Sequence, residues 1–220
     1  MARINQGILG GLSGKVGNVV GGTWKGISYL RTLPASVNDA KSVKQLSTRM
    51  KLQLVVQFLQ SCTEFIRIGF KGYAVKMSAF NAATSYNYHN GIFGEYPLLE
   101  YDFARLLVSR GKLAVADVIA CVAPMELKVS VSWTDNSGIG NASPGDTAML
   151  LVFNPAKIRS VYLLQGAVRS DGMIEMDVPA DFRGDVVYCY LAFADYSNLV
   201  TGQSKDYVSN SVYAGTVIIV

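Results

Sequence analysis

Hydrophobic and polar positions follow three successive regimes along the chain. From Asn38 onward, Val43, Leu46, Met50, Leu54, Phe58, Cys62 and then Phe65 or Ile66 recur at steps of three and four, the period of an amphipathic helix. Asn38 or Asp39 is the expected cap, the helix is expected to run to about Cys62 or Phe65, and Gly69 stops or bends it. A second, shorter helix is expected from Ser78 through Tyr86, ending in the aromatic, turn-rich stretch YNYHNGIFGEYP. Beyond Asp102 the period becomes two. LKVSVSW places Leu127, Val129, Val131 and Trp133 on one face, and TAMLLVF, SVYLLQGAV, MIEMDVP, DVVYCYLAFA and SVYAGTVIIV follow, separated by turn clusters such as DNSGIGNASPGD and RSDG. Strands without intervening helices point to an antiparallel sandwich or barrel.

The N-terminal regime is set by glycine. Eight of the 21 glycines lie between Gly7 and Gly26, a density that opposes a regular helix because each interior glycine costs about 1 kcal/mol relative to alanine. Val19 and Val20 followed by Gly21-Gly22 and TWKGISYLR predict a hairpin turning at the glycine pair, with Pro34 closing the segment. The whole is an expected α+β protein: an N-terminal β-hairpin and helical region over residues 1–101, then an antiparallel immunoglobulin-like β-sandwich over residues 102–220. Within it Trp133 and GDVVYCYLAF resemble the third and sixth strands of such a sandwich, although Tyr188 adjoins Cys189 and that cysteine has no expected partner on a second strand.

Composition narrows the function classes. The chain has 220 residues, half of them hydrophobic, with a mean hydropathy of +0.25, and its longest apolar window, from Leu113, carries Asp117, so no membrane span is expected. Cys62, Cys121 and Cys189 are far apart and odd in number, which supplies neither a disulfide framework nor a Cys-x-x-Cys metal site, and a single histidine, His89, removes most zinc and triad chemistry. No metal or cofactor and no enzymatic activity are expected. The first residues lack the continuous apolar stretch of a secretion signal, so a cytoplasmic location, or one within a phage or other particle, is the expectation. Charge is divided unevenly: residues 1–80 carry a net +9 and residues 81–220 a net −5. Such a split suits an anionic polymer, a membrane surface or the acidic half of a neighbouring copy as partner, and does not choose among them.

The sharpest resemblance lies near the N-terminus. Gly10, Gly11, Ser13, Gly14, Lys15, Val16, Gly17, Val20, Gly21, Trp24, Lys25, Gly26, Arg31 and Pro34, with Gln45, Arg49 and Ile68-Gly69-Phe70-Lys71 further on, resemble a domain family of unknown function found chiefly in Bacteroidota. The similarity extends through the strand-rich half, Trp133 and the final strands included. It implies one coherent module of bacterial or bacteriophage origin, and no activity, cofactor or catalytic residue.

GGLSGKVG invites comparison with a phosphate-binding loop, but the glycine required upstream falls at Leu9, Val16 follows Lys15 where Ser or Thr is needed, and no strand precedes it. Lys15, Trp24, Lys25, Tyr29 and Arg31 form a basic and aromatic set on the expected hairpin and are the candidate interaction residues. Lys41, Lys44, Arg49 and Lys51 on the helix are the alternative set, for nucleic acid held through phosphate contacts and base stacking. Tyr86, Tyr88, His89, Phe93 and Tyr96 form an aromatic cluster of the kind that binds a glycan or peptide, or that packs under a domain boundary. Asp171, Glu175, Asp177, Asp181 and Asp185 lack the spacing of a calcium loop and read as solvated turn residues. A glycine-rich terminus stays ordered when it forms a strand or is held by another subunit. The expected work is therefore non-catalytic self-assembly, as a homo-oligomer or in a multi-subunit particle, with nucleic-acid binding as the alternative.

Overall fold

The computed structural model describes residues 3–4, 12–24, 27–36, 39–199 and 207–220, and the chain divides into two compact units, Met1–Ser42 and Val43–Val220. Within the second unit the helices share a core with the strands that follow them.

The first unit is an antiparallel meander of β1 (Arg3–Ile4), β2 (Leu12–Val16), β3 (Val19–Trp24) and β4 (Ile27–Thr32), in that spatial order. The hairpin exists, but Gly21-Gly22 is not its turn. The β2–β3 chain reversal is at Gly17-Asn18, where Gly17 adopts φ +58°, and Gly21 and Gly22 sit inside β3. Close approach explains Gly21: a Cβ there would stand 2.0 Å from the Leu12 carbonyl oxygen. The β3–β4 ladder continues to the bond from the Leu33 amide to the Asn18 carbonyl (2.7 Å), after which Pro34 has no N–H to extend it.

In the second unit, α1 (Val43–Gln60) starts four residues after Asp39, which instead accepts from the Lys41 amide at 3.4 Å; Asn38 lies outside the described residues. α1 gives way to α2 (Thr63–Gly69) and a single 3-10 turn (Lys71–Tyr73). Gly69 ends α2 as expected, and a side chain there would meet the Val108 carbonyl oxygen at 2.5 Å. α3 (Ala79–Asn90) is capped by Ser78, whose Oγ accepts from the Asn81 amide at 3.1 Å. It runs four residues past the expected end, so Asn87–Asn90 is helical and not a loop. A two-stranded hairpin of β5 (Ile92–Glu95) and β6 (Leu98–Tyr101) follows.

Seven strands then form two antiparallel sheets: β7 (Asp117–Val122), β8 (Lys128–Thr134) and β11 (Met173–Asp177) in the order β11-β8-β7, and β9 (Thr147–Asn154), β10 (Arg159–Val168), β12 (Val186–Ala194) and β13 (Val212–Ile218) in the order β10-β9-β12-β13. The uninterrupted apolar run of β9 is the signature of a strand covered on both faces. Ala148, Leu150 and Val152 meet Val129, Val131 and Trp133 of β8 and Ile174 and Met176 of β11, while Met149, Leu151 and Phe153 meet Val55, Phe58, Leu59 and Cys62 of the helical layer. Helices, four-stranded sheet and three-stranded sheet thus form three layers. Phe58 stands edge-on to Phe153 at 4.8 Å between ring centres, and full burial of each such ring stabilises by about 1.5–3 kcal/mol.

Two expectations change at this level. Trp133 lies on the second of the seven strands, not the third, and packs edge-on against Phe193 of β12 at 5.4 Å. Cys189 does have a neighbour on another strand. Cys121 of β7 interacts with its thiol, beside Gly215, whose register position faces Cys189 and whose Cβ would lie 3.5 Å from that of Cys121. That interaction holds the Cys121 thiol below its ordinary range, while the same interaction and burial hold Cys189 above it. All three cysteines are free thiols.

Candidate functional site

Alternation along the meander separates its two faces. Lys15, Val20 and Arg31 form one cross-strand row, and Tyr29, paired with Gly22, lies on the same face; a Cβ on Gly22 would be 3.0 Å from the Tyr29 ring. Lys15, Tyr29 and Arg31, three of the five candidate interaction residues, therefore share a solvent-facing surface. Of Trp24 only the backbone is described, pairing with Ile27, and Lys25 lies outside the described residues. The opposite face carries Val16, Val19, Leu30 and Thr32 and no charge. Every residue of β4 is exposed, with Ile27 at 66% on one face and Leu30 at 62% on the other. A four-stranded sheet normally buries at least one apolar face.

The helical candidates do not form one stripe. Lys41 belongs to the first unit. Lys44 and Arg49 line a shallow groove of about 280 Å³ with Gln45 and Thr48 on α1, whereas the Lys51 ammonium lies 4.9 Å from the centre of the Tyr88 ring on α3. His89 is exposed at the end of α3, edge-on to Tyr88. The acidic residues are engaged singly: Asp177 with Lys128, Asp181 with Arg159, and Asp171 with the Val168 amide, while Asp185 accepts from Lys157 and Asn154, which hold its carboxyl below the usual range. Glu175 and Asp177 are strand residues of β11, not turn residues.

Sequence reasoning missed the one fully buried ion pair among the described residues. Arg169 donates to Asp146 (Nε–Oδ2, 3.0 Å), Asn136 (Nη1–Oδ1, 2.6 Å) and the Ala114 carbonyl (Nη2–O, 2.8 Å), stacks its guanidinium 3.9 Å from the centre of the Phe193 ring, and accepts the Trp133 indole N–H on its own carbonyl at 2.8 Å. The group closes one end of the core between the two sheets and is structural, since no side of it reaches solvent.

Comparison with family models finds a match over residues 11–215 to a family of unknown function, DUF6266. The chain belongs to that family. The DUF6266 match begins at the glycine-rich segment and ends within β13, so it embraces both compact units. Comparison with curated proteins and with solved structures found no match. Among the described residues no helix is long and apolar enough to cross a membrane.

Proposed function

We propose that this chain is a non-catalytic assembly module that associates with further copies of itself through the N-terminal meander. The observation that carries the reading is a four-stranded sheet whose strand β4 is exposed on both faces, with cations on one face and, among the described residues, none on the other. Residues 1–42 hold five cations against one carboxylate, which equals the whole net charge of +4. The receiving surface in this reading is the acid-rich region 81–220 of the neighbouring copy, at net −5. The seven strands β7–β13 are read as an immunoglobulin-like sandwich, an architecture that hosts many unrelated functions; the three-plus-four division and the strand orders support it.

Light scattering after size exclusion, on the full chain at low and high salt, tests the proposal. The expected result is a defined oligomer free of nucleic acid that Arg31→Glu, an exposed charge reversal on the basic face, converts to monomer. A monomeric wild-type chain overturns it. Copurifying nucleic acid released by salt selects the alternative reading instead, in which Lys41, Lys44, Arg49 and Lys51 meet phosphates.

A further inference from the structure

Away from the meander, a cleft of about 300 Å³ opens between the 3-10 turn, α3 and the segment that follows Ser109, lined in part by Tyr73, Ser85, Tyr86, His89, Asn90 and Arg110. Its central group is the Arg110 guanidinium, 4.3 Å from the centre of the Tyr73 ring and 4.8 Å from that of Tyr86. The position is fixed from behind. The Arg110 amide donates to the Gly69 carbonyl at 2.9 Å, and buried Asn87 of α3 grips Leu107 from both sides, donating to its carbonyl (2.8 Å) and accepting from its amide (2.9 Å).

Arg67, Arg105, Arg159, Arg169 and Arg183 each have a carboxylate partner, whereas among the described residues the Arg110 guanidinium has no ion pair and its contacts are the two tyrosine rings. The chain around the cleft offers no carboxylate either: residues 65–94 and 103–116 contain no Asp or Glu and carry Lys71, Lys76 and Lys112 besides three arginines. A half-buried guanidinium braced by aromatic rings keeps its N–H fork open for an oxyanion, which it holds by two parallel bonds. Ser85, His89 and Asn90, all exposed on one side of α3, add hydroxyl, imidazole and amide groups, while Met77 and the tyrosine rings supply an apolar wall. The volume lies at the lower end of small-molecule sites.

We infer that this cleft binds a small organic oxyanion, a phosphate ester or a carboxylate carrying an apolar or planar body, with Arg110 gripping the anionic group and Tyr73 and Tyr86 lying against the body. The site is independent of self-assembly and survives the failure of that reading.

Amide and side-chain NMR titration of the full chain with phenyl phosphate, and separately with benzoate, tests the inference and distinguishes the two anion classes. At least one probe is expected to bind saturably, moving the signals of Tyr86, His89 and Arg110. Arg110→Lys, which keeps the charge and loses the fork, is expected to weaken that binding about tenfold. His89→Ala, at an exposed position that leaves the fold intact, is expected to weaken it severalfold without a change in melting temperature. Absence of saturable shifts with both probes overturns the inference, and so does an affinity unchanged in Arg110→Lys.

Discussion

Arg169 is the largest fully buried side chain of the chain, and a buried guanidinium is tolerated only when its charge and its N–H groups are matched. Asp146 supplies the charge, Asn136 and the Ala114 carbonyl take two further N–H groups, and no buried polar side-chain atom among the described residues is left without a partner. Removing the carboxylate leaves the cation buried. Asp146→Ala is therefore expected to lower the unfolding free energy by about 3–5 kcal/mol, read from urea midpoints. Replacing Arg169 and Asp146 together is expected to cost less than the two single losses added, because no lone charge remains. A single-variant loss under about 1 kcal/mol would mean that water reaches the guanidinium. Nothing in the string AVRSDG distinguishes this arginine from a solvated turn cation. Its burial is decided by how two sheets and three loops close over it, which no local period records.

At the scale of elements, legibility followed the reach of the forces involved. β8, β9 and β12 were evident because alternation or an unbroken apolar run is imposed by the very faces they bury. The end of α3 was not. Tyr86, Asn87, Tyr88, His89 and Asn90 are indifferent helix formers, and what keeps them helical is tertiary: Asn87 is fully buried against Leu107, and Tyr88 packs on the helical core. The turn of the N-terminal hairpin was misplaced for a similar reason, since Gly21 serves a close backbone approach to Leu12 and not a positive φ. The candidate interaction set was legible in part, Lys15, Tyr29 and Arg31 sharing a face by simple alternation, while Arg110 went unnoticed because its tyrosine neighbours come from distant segments. The cap of α3 was visible locally and makes a local prediction. Ser78→Ala removes the acceptor for the Asn81 amide and is expected to cost about 1 kcal/mol, seen as a lower urea midpoint at unchanged m. An unchanged midpoint would mean that water satisfies that amide equally well.

The second unit is held by two cores on either side of the four-stranded sheet, and three weak acids sit in the one where the helices lie on that sheet. Burial pushes the Cys62 thiol up from 9.0 to about 12 and the Tyr101 phenol up from 10.0 to about 12, and it raises Tyr190 further still. The phenols are also tied across layers, Tyr101 donating to the Leu54 carbonyl at 3.0 Å and Tyr190 to the Phe103 carbonyl at 2.8 Å. In the unfolded chain these groups release their protons near pH 9 and 10, whereas the folded chain retains them, so above pH 9 the unfolded state binds fewer protons and stability falls as pH rises. The contribution is fully present below pH 9 and is lost progressively toward pH 12. Cys62 alone gives a slope of about 1.4 kcal/mol per pH unit once its unfolded thiol is ionised. Urea midpoints measured from pH 7 to 11 are expected to be level in this respect up to about pH 8.5 and then to drop. Between pH 9 and 10 the buried thiols Cys62 and Cys189 lead the drop and the buried tyrosines join it as their unfolded counterparts ionise toward pH 10, so Cys62→Ala is expected to make that interval shallower while lowering stability by a pH-independent amount for the small cavity it leaves. A wild-type profile that stays level through pH 10, or a Cys62→Ala profile as steep as the wild type, would place the thiol in contact with solvent and separate the helical layer from the sheet.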